Sequence, residues 1–360
     1  MTRRVAAIVA LGVLLSTSSG CWNRREIETL GFVVAAGVDT SLGATHWDSP
    51  GVDGELELRM QFTAQIMRPS AIVAGERSQT LERPFWVASA TGRTFLECIR
   101  SLSEASPRIL YWPHNRWLLL GEEYAKGGVA RALDFWERDQ ETRRRAVVGV
   151  VKDGRAWDLL QTVPSEFGRE TLLNASKKSS SIVWTSVNDF VVALASEGID
   201  PIALRVETIP YAYPYEITGD VTREEVKATA RLSGAAVFRS DKLVGWLDGR
   251  DARGYNWVVG KVKSALLVVE APERSIEPEP GASLIGLEII GAKGAFKPKI
   301  TDDGRSSGIA VKISAEANFA DVQPYVDSYS DSELWTITER RLEEVIRNEV
   351  MAAITKAQEL

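Results

Sequence analysis

The chain has 360 residues, of which 44% are hydrophobic and 26% are charged, and its formal net charge is −6. Such a length predicts two or three units with separate cores, and the composition excludes a disordered chain and a polytopic membrane protein. The acidic balance disfavours nucleic-acid binding. With only two cysteines and two histidines, a disulfide scaffold or a Cys/His zinc site is close to excluded, so no metal or cofactor is expected.

The amino terminus has the pattern of an export signal. Arg3 and Arg4 form a basic segment, Val5 to Leu15 form an apolar run, and Ser16 to Gly20 supply small residues directly before Cys21. The apolar run is too short to cross a hydrocarbon layer of roughly 30 Å as a helix. Residues 1–20 are therefore predicted to be a signal peptide.

Cys21 is the predicted lipidation site. Ser19 and Gly20 before this cysteine resemble the lipobox of bacterial lipoproteins, although Ser18 stands where that pattern prefers an aliphatic residue. The resemblance implies a diacylglyceryl group on Cys21, and two or more acyl chains form a stable membrane anchor. An ordinary secreted protein cleaved nearby is the alternative. An anchor would suit an acidic chain, because an anionic lipid surface repels it.

The first unit, residues 21–200, is predicted to be α/β. A strand at Gly31 to Asp39 and a half-exposed, strictly alternating strand at Leu56 to Ile66 flank a loop at Ser41 to Gly54. Helices and strands then alternate. Their order is a helix at Thr94 to Leu102, a strand at Arg116 to Leu120, a helix around Val129 to Trp136, a strand at Ala146 to Val151, a short helix from Trp157 and a helix capped by Thr185 or Ser186.

Two further units follow, and the fold class is therefore α/β, with mixed sheets and packed helices in three consecutive domains. Residues 201–262 are predicted to be mainly β, with a hairpin around Ser240 to Lys242. Residues 263–360 are predicted to be α/β. They contain a strand at Leu266 to Glu270, a connector at Pro272 to Gly281, a strand at Val311 to Phe319 and a terminal helix with an apolar stripe from Leu342 to Ile354.

Few residues suggest chemistry. His114, beside Asn115 and Arg116, could act in acid–base catalysis, but a histidine bonded to the neighbouring backbone is favoured. The run Arg143 to Arg145 is interpreted as a solvated edge, with an acidic loop of a membrane partner as the alternative. Cys98 lies at helical spacing among apolar residues and is expected to be buried. No phosphate loop and no nucleophile elbow occur, so no catalytic residue is assigned.

Several segments in order resemble the Ger(x)C family, the lipoprotein C subunits of spore nutrient germinant receptors. Individually these segments are weak, but their order and spacing over most of the chain are specific. They are Gly20-Cys21-Trp22-Asn23-Arg24-Arg25-Glu26-Ile27, Gly37-Val38-Asp39, Gly92-Arg93-Thr94-Phe95, Gly121-Glu122-Glu123-Tyr124, Leu133-Asp134-Phe135-Trp136, Gly234-Ala235-Ala236-Val237-Phe238 and Asp241-Lys242-Leu243-Val244-Gly245-Trp246-Leu247.

This resemblance implies three α/β domains and a non-enzymatic role beside the A and B subunits, which are integral proteins of the inner spore membrane. Its implied location is the outer face of that membrane. Similar proteins usually continue past the terminal helix into a closing strand, whereas this sequence stops at Leu360. The third unit is therefore expected to be either truncated or short of an edge strand.

Three functions from different classes remain open on the sequence alone. The leading hypothesis is a membrane-anchored scaffold or coupling subunit in spore germination. The second is a solute-binding lipoprotein that captures a nutrient in a cleft between domains. The third is an exported hydrolase that uses His114.

Overall fold

The computed structural model describes residues 27–41, 60–69, 85–162, 180–210, 228–271, 284–300, 307–323 and 332–360. The predicted signal peptide, Cys21, most of the loop up to Gly54 and the connector after Pro272 lie outside these residues. The fold-class prediction is confirmed, because mixed sheets and packed helices make up the described chain.

The larger sheet has nine strands in the described part of the chain, in the order β3-β2-β1-β5-β6-β7-β8-β9, with β4 beside the start of β1. Its centre, β1-β5-β6-β7, is parallel, and antiparallel strands flank it on both sides. The strands are β1 Leu30–Thr40, β2 Met60–Met67, β3 Phe85–Gly92, β4 Ile109–Tyr111, β5 Trp117–Gly121, β6 Val147–Val151, β7 Ile202–Pro210, β8 Ala228–Arg239 and β9 Lys242–Leu247.

Seven helices are seen within the described ranges. Thr94 caps α1 by accepting from the Glu97 N–H. Ser186, one of the two predicted caps, forms a capping box with Asp189 at the start of α5. The helices are α1 Phe95–Ala105, α2 Glu122–Gly127, α3 Ala130–Arg138, α4 Ala156–Thr162, α5 Val187–Ala195, α6 Gly249–Val258 and α7 Ser332–Glu359.

Helices cover both faces of the larger sheet. Alternate residues of β5 divide between the faces, so that Leu118 and Leu120 pack with α1, α3 and α5, while Trp117 and Leu119 pack with α4. The prediction of a strand ending near Ile66 is confirmed, but its predicted half exposure is wrong over the described part, because α4 covers the face that was expected to be exposed. Gln65 is buried there and donates to the Leu160 carbonyl at 3.3 Å.

The larger sheet continues across residue 200, where the sequence predicted a domain boundary. Strand β7 pairs in parallel with β6, and β8 and β9 extend the same sheet. The middle unit was expected to be mainly β, but it also contains helix α6. This helix begins with a capping box formed by Asp248 and Asp251. The division into three domains stays a prediction.

A smaller sheet and the two last helices form a further core. The sheet order is β10-β11-β12, with β10 Ala265–Glu270, β11 Leu284–Ile300 and β12 Ser307–Gln323. Helices α6 and α7 cross so closely that a Cβ atom on Gly254 would lie 2.1 Å from the Glu349 carbonyl oxygen. Glycine is therefore required at the crossing. Trp257, Ile289, Ile346 and Val350 fill the core beside it.

Candidate functional site

The sequence-predicted site residues do not come together in one place. Cys21 lies outside the described residues. His114 ends a short 3-10 helix and is exposed, and its ring packs against Phe32 and Tyr111 at centroid distances of 4.9 and 5.3 Å. The imidazole thus belongs to a small aromatic cluster with these two side chains.

The arginine run lies at the amino end of β6 and is exposed, as expected of a solvated edge. Arg143 donates to the Pro113 carbonyl at 3.4 Å, and Arg144 pairs with Glu137 at 2.6 Å. Exposed pairs of this kind stabilise a fold only weakly.

Cys98 is fully buried between α1 and the sheet, as the sequence predicts. Its neighbours include Gly92, where an added Cβ would lie 2.9 Å from the Cys98 sulfur atom. Burial raises the pKa of the Cys98 thiol to about 12, and the nearby Glu97 carboxylate acts in the same direction. The thiol is therefore unreactive in the native fold.

The rate of alkylation measures the accessibility and reactivity of the Cys98 thiol. At pH 8 we expect iodoacetamide to modify Cys98 roughly 100-fold more slowly in the native chain than in urea, because almost no thiolate is present and the sulfur is buried. Mass spectrometry of the cysteine-containing peptides follows the reaction, and the urea-unfolded chain is the control. Equal rates in the two states would contradict the burial of Cys98.

A polar site that sequence reasoning missed lies at the carboxyl end of β1. The Asp39 side chain is buried, and its two carboxylate oxygens accept the backbone N–H groups of Ala156 and Trp157 at 2.8 and 2.9 Å. Asp39 thus fixes the start of α4 on the sheet. Gly121 leaves the room for it, since a Cβ there would lie 2.1 Å from Asp39 Oδ1.

The environment of Asp39 raises the pKa of its carboxyl group. Removal from water is the largest cause, and it outweighs the two backbone N–H bonds and the Arg155 guanidinium, which lower the pKa. Arg155 also donates to the side-chain oxygen of Gln61 on β2. A buried carboxylate, a helix start and two strands are therefore joined in one network.

The network borders a cleft of about 320 Å³ at the carboxyl ends of the parallel strands. The acidic groups that line it are engaged. Glu122 accepts the Asp153 N–H and pairs with Lys126 at 3.0 Å, and Glu123 pairs with the same lysine at 2.8 Å. Glu122 thus links α2 to the loop at Asp153, and the pairs with Lys126 lie within α2.

A second polar link joins the two cores through α6. Glu349 on α7 is 2% exposed, pairs with Arg253 and accepts the Trp257 indole N–H at 3.0 Å. Asn256, also on α6, donates to the carbonyls of Ser180 and Ile182 at 2.9 and 2.7 Å. Contacts of α6 thus connect the terminal helix to the segment that holds Ser180 and Ile182.

No group of three or more metal-ligating side chains lies together in the described ranges. No helix that the structure describes is both long and apolar enough to span a membrane.

The fold and the two networks define a mixed α/β protein in which one helix connects two cores and buried acids serve as structural links. Sequence models of two families match this chain. Residues 23–208 match the spore germination protein N-terminal domain, and residues 233–360 match the spore germination B3/GerAC-like C-terminal domain. The chain therefore belongs to the Ger(x)C family of spore germination proteins, which confirms the resemblance seen in the sequence.

Individual relatives are distant but span the chain. Spore germination protein KC of Bacillus subtilis is 24% identical over 99% of this chain and 84% of its own length. Spore germination protein B3 of the same organism is 22% identical over 93% of this chain and 80% of its own. The crystal structure of the GerBC protein aligns with 83% of this chain and 79% of its own, at 18% identity and a TM-score of 0.46.

Proposed function

We propose that this protein is a membrane-anchored lipoprotein subunit of a nutrient germinant receptor, with a non-enzymatic scaffold or coupling role in spore germination. Acyl chains on Cys21 would hold it at the outer face of the inner spore membrane, beside the integral A and B subunits. Confinement to the membrane plane raises its effective concentration near these partners, so modest interfaces are sufficient to keep the complex together.

The observation that carries this proposal is the pair of spore germination family matches, which begin at residue 23, directly after the lipobox-like sequence. The chemistry of the described residues supports a non-enzymatic role. Cys98 is buried, His114 packs on aromatic rings, and Asp39 is occupied by two backbone N–H groups. The link from α6 to α7 is suited to coupling, because it connects two cores through buried polar contacts.

Replacement of the anchor residue tests the proposal. In spores that carry Cys21→Ala, we expect no incorporation of labelled lipid into the protein and its loss from the inner-membrane fraction, because two acyl chains supply most of the membrane affinity. Labelling and fractionation of spore extracts provide the measurement. Cys98→Ala is the matched control and should keep both the label and the membrane location.

Two results would contradict this model. One is continued lipid labelling of the Cys21→Ala protein, and the other is an unmodified thiol at Cys21 in the native protein. Co-purification with the A and B subunits tests the partnership separately. If the lipidated protein purifies alone under conditions that keep the A and B subunits together, the scaffold role is wrong.

The cleft beside Asp39 favours one second candidate, the capture of a small nutrient. Carboxyl ends of parallel strands are the usual ligand sites of α/β sheets, and this cleft lies there rather than between domains. Calorimetry with amino acids and sugars distinguishes the two functions. Specific micromolar binding that Lys126→Ala, at the exposed rim of the cleft, weakens would favour capture, and absence of binding would favour the scaffold.

A further inference from the structure

The hairpin of β11 and β12 extends well past the smaller sheet. Each strand has 17 residues, yet β10 pairs only with Leu284 to Ile289 of β11. Beyond these pairs the two strands continue as a ribbon with no third strand in the described ranges. Residues 292–300 and 307–315 are called the distal ribbon below.

One face of the distal ribbon is apolar and uncovered at its far end. Near the sheet this face belongs to the core, where the pairs Ala292–Ala315 and Gly294–Ile313 lie beside Trp257. Because side chains alternate along a strand, the same face continues through the pairs Phe296–Val311 and Pro298–Ile309. Phe296 is 59% exposed and Ile309 is 71% exposed, so the apolar stripe runs beyond the helices that cover it.

The opposite face is basic. It carries the exposed residues Lys293, Lys297 and Lys299 on β11 and Lys312 on β12. The distal ribbon contains no aspartate or glutamate, and the residues between its strands, 301–306, contribute two aspartates and one arginine. Positive charge is thus concentrated on one hairpin of a chain whose net charge is −6.

Protection of open strand edges would account for lysines alone. It does not account for Phe296 and Ile309, because large exposed apolar side chains on an open ribbon favour aggregation unless something covers them. The four lysines are the only charged side chains of the distal ribbon, so its electrostatic field favours an anionic partner. Apolar residues with surrounding lysines are the pattern of segments that lie in the interface of an anionic membrane.

We propose that the distal ribbon lies in the headgroup region of an anionic bilayer, with Phe296, Pro298, Val311 and Ile309 toward the acyl chains and the lysines at the lipid phosphates. The inference rests on the proposed membrane location. It adds a second, reversible attachment far from Cys21 in the sequence, which would fix how the protein is oriented on the membrane. Release of the ribbon would then free the smaller sheet and α7 to move.

Site-specific fluorescence tests the ribbon independently of acylation. The full chain with Cys21→Ser and Ile309→Cys is labelled with an environment-sensitive dye, while Cys98 stays buried and unlabelled. With vesicles of phosphatidylcholine and phosphatidylglycerol, we expect the emission to shift to the blue, to rise several-fold and to be quenched by nitroxide lipids. Vesicles of phosphatidylcholine alone should give roughly a tenfold weaker response, because the lysines have no anionic partner.

Matched controls identify the surface. A dye on Leu266→Cys, which is 62% exposed on β10, should not respond to vesicles. Lys297→Glu with Lys299→Glu should weaken the Ile309 response roughly tenfold, whereas the exposed pair Lys261→Glu with Lys263→Glu should leave it unchanged.

Three results would overturn the proposal. The first is failure of the ribbon to enter the bilayer: either the chain does not sediment with the anionic vesicles, or it does so while the dye at position 309 still emits as it does in water. The second is a concentration-dependent blue shift without lipid, which would show that a second copy covers the ribbon. The third is a response that needs the receptor's membrane proteins. Because Cys21 is replaced, none of these results bears on lipidation, which labelling of the native protein tests.

Discussion

Arg253→Leu should destabilise the protein by about 3 to 5 kcal/mol, the usual cost of leaving a buried charge without its partner. The Glu349 side chain is 2% exposed and that of Arg253 is 21% exposed, so loss of the guanidinium leaves the carboxylate in a dry interface. Among the described residues its remaining donor is the Trp257 indole. Urea unfolding followed by circular dichroism measures the change, and we expect α7 to separate from α6 first.

A double variant shows whether the unpaired Glu349 carboxylate causes the loss of stability. Arg253→Leu with Glu349→Gln should be more stable than Arg253→Leu alone, because the neutral amide still accepts the indole N–H without the cost of a buried charge. The exposed Arg250→Leu on the same helix is the control and should change stability by no more than about 0.5 kcal/mol. A double variant less stable than the single one would contradict the explanation.

Local sequence signals predicted the regular elements of the larger sheet well. Confirmed are the apolar strands around Val33, Leu118 and Val148, the helix that begins near Thr94 and the cap at Ser186. In each case the pattern and the structure depend on the same few neighbouring residues. Such elements are predictable because hydrophobic periodicity and capping are local properties.

The elements that were missed break these local rules for tertiary reasons. Helix α6 contains Gly249 and Gly254, which disfavour a helix locally, yet Gly254 is needed where α7 crosses. Strand β11 contains Gly286, Gly291, Gly294 and Pro298, which obscure its alternation. The buried face of β2 was missed because the covering helix α4 is far away in sequence.

The polar networks could not be predicted either. Asp39 and Ala156 are 117 positions apart, and Arg253 and Glu349 are 96 positions apart. A single sequence carries no signal for such pairs, although an aspartate that directly ends an apolar strand was a clue to Asp39. Lipidation of Cys21 could be predicted because an export signal is recognised from adjacent residues, and it stays a prediction.

Asp39→Ala should cost about 2 to 4 kcal/mol, because it leaves the N–H groups of Ala156 and Trp157 without an acceptor beneath α4. Gly121→Ala should have a similar effect, since its Cβ would displace the same carboxylate. The two substitutions should therefore be strongly non-additive in a double-mutant cycle measured by urea unfolding. Additive losses would show that Gly121 and Asp39 act separately.

The pH dependence of Asp39→Asn tests the electrostatics of the same site. The folded pKa of Asp39 lies above the unfolded value of 3.8, so between these values the native state binds more protons than the unfolded state. The contribution of Asp39 to stability is therefore full below 3.8 and is lost as the pH rises through the folded pKa, opposite to a salt-bridged carboxylate. The unfolding free energy of the wild type minus that of Asp39→Asn should therefore fall as the pH rises above 3.8. A difference that grows with pH would mean that the backbone N–H bonds and Arg155 outweigh burial, and that Asp39 is a stabilising anion at the start of α4.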